Sequence, residues 1–223
     1  MTTLQEPTAT QQRFDLEAEK WDNLPGMKEM AEKAFLAIKS TIHLTKSQNC
    51  LEFGCGTGLV SFQVEPYVNS ILGVDFSENM ANVYNRKAKE KKVEEQLQAI
   101  PLEITNADQL DGKKFHLIFS HLTYHHVEDF HHMTKILYEY LEKDGYLVVT
   151  DFEKFDGSEL FHPKAKHSTV EHHGILKTEL ESALKEANFK EVQVNTPFSV
   201  IKGVEGSQTP MEFPFLCGVG RKC

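Results

Sequence analysis

Residues 51–58 run Leu-Glu-Phe-Gly-Cys-Gly-Thr-Gly, and seventeen residues past Gly58 an aspartate closes the apolar run Ile71-Leu72-Gly73-Val74-Asp75. No other feature constrains the fold as tightly. Glycine at every second position after a strand lets the backbone pass close to a ligand and turn sharply into a helix. A carboxylate ending the next strand can then hold the hydroxyls of a ribose. The pair implies a strand–turn–helix–strand unit that binds a nucleoside-bearing cofactor.

The spacing narrows the cofactor. A dinucleotide fingerprint G-x-G-x-x-G that starts at Gly54 needs glycine at position 59, which is Leu59. No Lys-Ser/Thr pair follows the glycines, so a phosphate loop of the Walker type is excluded.

Along the chain, residues 1–12 are polar and expected to be disordered. Met30, Ala31, Ala34, Phe35, Ile38 and Ile42 recur at helical spacing. Strands are expected at 49–53, 70–75, 98–105, 114–120 and 146–150, and Pro101 points to a less central position for the third. A short helix is expected from about Leu59 to near Pro66. Ser77 as N-cap and a basic far end predict a helix over 78–91. A further helix is expected over 127–142, ended by Gly145, and another over 176–187. Two last strands, 191–201 and 212–220, flank a Gly/Ser/Thr/Pro turn and read as a hairpin. Alternating strands and helices imply an α/β fold with a parallel sheet covered on both faces, closed by one antiparallel strand. Ligands in such sheets sit at the carboxyl ends of the strands. Gly54–Gly58, Asp75, Asp108, Ser120 and Asp151 all fall at or just past such ends.

Composition bounds the partners. The 223 residues fit one domain with some embellishment, and no apolar run is long enough to span a bilayer. The first twelve residues lack the basic-then-apolar order of a secretion signal. With 24 basic and 33 acidic side chains the net charge is −9, which disfavours a nucleic-acid partner. The four cysteines show no C-x-x-C spacing, so reduced thiols and a cytoplasmic location are expected.

Several stretches together resemble the class I S-adenosylmethionine-dependent methyltransferases, in the small-molecule UbiE-like or type 11 branch. Glu52–Gly58 looks like their first motif and Gly73-Val74-Asp75-Phe76-Ser77-Glu78-Asn79-Met80 like their second. Asn106-Ala107-Asp108 sits where that family has an acidic residue near the adenine amine. Tyr124-His125-His126-Val127 resembles the segment after the fourth strand. Leu141-Glu142-Lys143-Asp144-Gly145 matches a further motif only with departures, Lys143 standing for a proline and Asp144 for a glycine. The resemblance covers about residues 13–220.

It implies a Rossmann-like, doubly wound, mostly parallel seven-stranded sheet with a C-terminal antiparallel hairpin and an N-terminal helical cap over 13–45. The chain is read as one methyltransferase domain, 1–223, with a substrate-side insertion at 152–175. The implied cofactor is S-adenosylmethionine. Gly54, Cys55, Gly56 and Thr57 would meet its methionine part, and Asp75 its ribose. Phe76, Met80, Ala107, Asp108 and Gln109 would surround the adenine, Ser120 and His121 would floor the sulfonium, and Trp21 would close the cap.

Methyl transfer from a sulfonium is an in-line displacement, so the protein mainly aligns the acceptor and excludes water. A base is needed only where the acceptor oxygen, nitrogen or sulfur carries a proton. Among 11 histidines, His125, His126 and His173 are the base candidates, with Asp151 orienting a histidine or the acceptor. No metal site is expected, because His-Glu-x-x-His and nearby cysteine ligands are both absent. The acceptor is expected to be a small molecule. A protein methyltransferase and a non-catalytic cofactor-binding subunit are the alternatives, and the sequence leaves the oligomeric state open.

Overall fold

The computed structural model describes residues 7–223. Seven strands form one sheet: β1 (Asn49–Phe53), β2 (Ser70–Asp75), β3 (Leu97–Pro101), β4 (Phe115–His121), β5 (Leu141–Phe152), β6 (Lys190–Lys202) and β7 (Met211–Arg221). Their order is β3-β2-β1-β4-β5-β7-β6, with β7 antiparallel to both neighbours and the other pairings parallel. The order reverses at β1, which lies between β2 and β4. A crevice at the carboxyl ends of β1 and β4 follows from that reversal.

The helices are α1 (Ala9–Glu17), α2 (Met27–Thr41), α3 (Ser61–Val64), α4 (Glu78–Lys91), α5 (Phe130–Glu139) and α6 (Lys177–Glu186). Side chains alternate across each strand, so both faces of the sheet must be apolar. Leu51, Ile118, Leu147 and Val149 face the layer that holds Leu137 of α5 and Leu184 of α6. Cys50, Leu117, Phe119 and Val148 face the opposite layer, with Ile38 of α2 and Tyr84 of α4. A third cluster, built from Phe152, Phe161, Phe213 and Phe215, joins the hairpin to the segment after β5.

The expected seven-stranded architecture is observed, and three local expectations are corrected. Residues 9–12 are helical rather than disordered, while Met1–Glu6 lie outside the described residues. Thr8 caps α1 by accepting from Gln11 N at 3.2 Å, and the Gln11 amide donates to Phe76 O at 2.9 Å. Docking on the start of α4 supplies what the polar sequence lacks. The third strand ends at Pro101 on the sheet edge instead of running to 105.

The helix expected over 127–142 is shorter. Tyr124–His126 forms a separate turn, Asp129 caps α5 by accepting from His132 N at 2.8 Å, and Leu141 already pairs with Phe115. Gly145 therefore lies inside β5. Residues 142–145 bulge between the paired residues 141 and 146, where a Cβ on Gly145 would sit 3.0–3.1 Å from three backbone oxygens.

Ser77 links the cap to the sheet. Its Oγ accepts from Met80 N at 3.1 Å and donates to Asp15 Oδ1 at 2.5 Å. Ser77→Ala removes both bonds, and loss of the helix cap alone costs about 1–2 kcal/mol. Urea denaturation should show at least that decrease; an unchanged midpoint would remove Ser77 as the link.

Candidate active site

A cavity of about 430 Å³ opens at the carboxyl ends of β1, β2 and β4, beneath α1 and the turn Ala18–Asn23. Of the expected cofactor residues, Trp21, Gly54, Cys55, Gly56, Thr57, Asp75, Phe76, Met80 and His121 line it, as does the base candidate His126. The glycine turn is fixed by Asp75. One carboxylate oxygen accepts from Gly56 N at 2.8 Å and the other from Ser77 N at 2.9 Å. A carboxylate offers about four lone-pair sites, so two remain for a ligand. Burial raises the Asp75 pKa to about 6, against the pull of those two donors.

The glycines serve unequal purposes. Gly54 has φ +70°, and a Cβ there would come within 2.2 Å of the Thr123 hydroxyl. Gly58 has φ +85° and is closed off by the Tyr84 ring at 2.6 Å. Only Gly56 faces open space, with the Trp21 indole nitrogen 4.0 Å from its would-be Cβ. Two of the three therefore answer to packing, while Gly56, with φ +50°, leaves its side open to the cavity. Cys55 is buried and its thiol is pushed far up by desolvation, which leaves it inert.

Other expected residues lie outside the cavity lining. Ser120 is buried, and its hydroxyl donates to Phe53 O at 2.9 Å across the β1–β4 pair. Asp108 is exposed, and neither Ala107 nor Gln109 reaches the cavity. The Gln109 side chain folds back, accepting from Thr105 N at 2.6 Å and Asn106 N at 3.0 Å and donating to Glu103 O at 2.8 Å. Leu102, Glu103 and Ile104 form that wall instead. His173 borders a separate groove with residues 154–159, beside His167.

His125 and Asp151 are both buried behind the cavity wall. Asp151 Oδ1 lies 2.8 Å from His125 Nδ1, and Oδ2 accepts from His125 N at 3.1 Å. The His125 carbonyl accepts from Glu171 N and His172 N. His126 Nδ1 lies 2.8 Å from Thr169 O; a carbonyl only accepts, so Nδ1 carries the proton and Nε2 keeps its lone pair. Desolvation holds the His126 pKa well below the ordinary histidine value. His121 follows the same logic. Thr150 Oγ1 donates to Ser120 O and so accepts from His121 Nδ1 at 2.9 Å. The His121 Nε2 is buried without a partner, and burial lowers the ring to about 4.

Phe14 and Asp22 of the expected cap complete the lid, together with Arg13, Glu17, Lys166 and Thr169, which the sequence reading missed. Asp22 accepts from Thr57 Oγ1 at 2.5 Å and pairs with Lys87 at 2.6 Å. Phe14 packs edge-on against Trp21, Phe76 and His126. Arg13 donates to Thr169, and Lys166 pairs with Glu17 at 2.5 Å, so α1 is tied to the segment after β5. The i, i+4 pairing of Arg13 with Glu17 was a legible signal for that face of α1.

This sheet order, with an aspartate-locked glycine turn and a capped cavity at the switch point, defines a doubly wound protein of the nucleoside-cofactor class. A family model described as a methyltransferase domain matches residues 44–203. An uncharacterised methyltransferase of Schizosaccharomyces pombe is 29% identical over 157 residues, 65% of this chain and 54% of that protein. The malonyl-[acyl-carrier protein] O-methyltransferase of Bacillus cereus is 27% identical over 151 residues, 65% of this chain and 53% of the other. The chain thus spans about half the length of the curated relatives it matches. In fold it is similar to the YcgJ protein of Bacillus subtilis, with a TM-score of 0.70 and 15% identity over 86% of this chain and 98% of that one. A methyltransferase of Thermotoga maritima described as a possible histamine N-methyltransferase gives 0.69 at 19% identity over 96% and 100%. The chain belongs to the class I S-adenosylmethionine-dependent methyltransferases.

Among the other carboxyl groups that line the cavity, Glu52 is buried. Glu52 is 2% exposed and accepts from the Ser61 hydroxyl, and burial raises its pKa to about 8, with Asp75 adding to the rise and Lys87 opposing it. The thiol of Cys55 and the phenol of Tyr84, which face it, are pushed up by burial and stay neutral. An unfolded glutamate has a pKa of about 4.3. The folded state thus holds a proton that the unfolded chain has released. The stability this proton contributes is complete below about pH 4 and is lost as pH rises through about 8. Between about pH 6 and 7 the slope from this group should be close to a loss of about 1.4 kcal/mol per pH unit, falling toward zero above about pH 9. Chemical denaturation of wild type and Glu52→Gln across that window tests this; equal slopes in the two proteins would refute it.

Proposed function

We propose that this chain is a methyltransferase that binds S-adenosylmethionine in the capped cavity and transfers its methyl group to oxygen, nitrogen or sulfur of a small molecule. The carrying observation is Asp75, fixed by Gly56 N and Ser77 N with lone pairs left over at the cavity wall. The ribose hydroxyls donate to that carboxylate, and the methionine part lies against Gly56 beneath Trp21. Adenine packs on Phe76 and Met80 and against Leu102–Ile104 rather than Asp108.

The acceptor enters on the side of Phe14, His121 and His126. Holding it in line with the sulfonium supplies most of the acceleration, since positioning is worth roughly 7–11 kcal/mol. His121 and His126 each present a neutral ring with a free Nε2, the form needed to take a proton from an approaching hydroxyl or amine. Asp151 acts on His125, behind that surface, as a positioning residue. The malonyl-[acyl-carrier protein] relatives keep a carrier-bound acyl acceptor within the same reading. We read residues 1–223 as one catalytic domain with 152–175 forming the acceptor wall. The free cysteines support a reducing, cytoplasmic setting, and no helix among the described residues is long and apolar enough to cross a membrane.

Asp75→Ala should weaken S-adenosylmethionine binding by about 2–3 kcal/mol, roughly 30–150-fold. Calorimetry on a folded variant with unchanged affinity would reject the ribose assignment, and uptake of a nicotinamide dinucleotide instead of the sulfonium would reject the whole reading. Radiolabelled donor incubated with a metabolite extract should label a small molecule. Label only in protein would favour a protein acceptor, and no label in any extract a non-catalytic subunit. His126→Gln should lower turnover at least about tenfold while cofactor affinity stays within about threefold. A wild-type rate would end its role at the acceptor.

A further inference from the structure

His125, His126 and His162 come from two separate parts of the chain, the turn after β4 and the segment after β5, and meet behind the cavity wall. One nitrogen from each lies within 4.8 Å of the other two. The rings of His125 and His126 are 4.0 Å apart, centre to centre, and those of His125 and His162 are 5.1 Å apart. Nitrogens around a tetrahedral zinc are about 3.4 Å apart, so small ring rotations close the set.

Two observations separate this cluster from chance proximity. The first is orientation. The Nδ1 of His125 is held by the Asp151 carboxylate and that of His126 by the Thr169 carbonyl, which turns the lone pair of each Nε2 outward. A histidine backed by a carboxylate or carbonyl is the supporting arrangement of metal-bound imidazoles. The second is want of partners. His125 Nε2 and His162 Nδ1 are both buried with no hydrogen-bond partner in the protein. Buried polar atoms are normally bonded, and leaving one bare costs about 1–3 kcal/mol. Two orphan nitrogens beside a third outward one call for a shared electrophile.

We propose that His125, His126 and His162 form a binding site for one divalent transition-metal cation of the zinc class, supported by Asp151 and Thr169, with its fourth position open toward the cavity through His126. Histidines are dense in this part of the sequence, but these three match no short ligand motif, with thirty-five residues between His126 and His162, and that absence spoke against a metal. Of the nearby cations, Arg13 is bonded to Thr169 beside Glu17, Lys166 pairs with Glu17, and Lys202 donates to Phe161 O. Three protein nitrogens and one open position is the ligand count of a catalytic rather than a structural site. With the metal bound, the His126 Nε2 lone pair is a ligand and no longer a base; an acceptor hydroxyl in the open position would bind as the more acidic, metal-bound form, and its proton would pass to the unpartnered Nε2 of His121.

The site is tested by titrating metal-free protein with cobalt(II) and following its visible d–d absorption, without S-adenosylmethionine. The expected result is one tight equivalent. Asp151→Asn should weaken it about 10–100-fold, and His162→Ala by about 100-fold or more. His131→Ala/His132→Ala, which removes two imidazoles of α5 outside the cluster, should leave the titration unchanged. If His162→Ala is misfolded by circular dichroism, His126→Ala at the cavity rim gives the same comparison. Failure to bind one equivalent, or wild-type binding in the folded His162 or His126 variant, overturns the site. Cofactor calorimetry on the same samples separates the two readings, because loss of cobalt binding leaves the Asp75 cradle intact.

Discussion

Everything at the working end of this molecule hangs on one carboxylate accepting two backbone N–H groups. Asp75 ends β2, and its bonds to Gly56 and Ser77 join the glycine turn after β1 to the start of α4. These are charge-assisted bonds in a buried setting, where they are stronger than in water. They fix the turn before any ligand arrives. The same burial raises the pKa of Asp75 to about 6, because a carboxylate removed from water loses the hydration that favours its charged form. A cavity with a preset, poorly hydrated acceptor is suited to ligand hydroxyls.

Much of this was legible in the sequence because it depends on local rules. The parallel strands show as short apolar runs, since both sheet faces are covered. The position of Ser77 before a basic-ended segment marked α4 to the residue. Pro101 marked the sheet edge, because a missing N–H is harmless there. The glycines and Asp75 located the cavity.

What stayed hidden depends on distant partners. Residues 9–12 are polar and offer no periodicity, yet they fold because Phe76 O and the start of α4 receive them. The pattern of Phe130–Glu142 continues as a helix on paper, but Leu141 finds Phe115 as a strand partner and Gly145 joins β5. Asp108 follows a strand as an adenine-contacting acid would, but Gln109 draws that loop onto its own backbone and turns Asp108 to solvent. The meeting of His125, His126 and His162 likewise needs the segment after β5 to fold back over the end of β4, which no spacing rule encodes.

The ties from Arg13 to Thr169 and from Glu17 to Lys166 carry a kinetic consequence. Helix α1 roofs the cavity beside Phe76, and the residues it grips belong to the segment whose Thr169 carbonyl also holds His126 of the cavity wall. The roof cannot lift from one compartment while its far edge stays clamped over the next. Access to the two ends of the cavity is therefore coupled, because parting α1 from one breaks its ties to the segment beside the other.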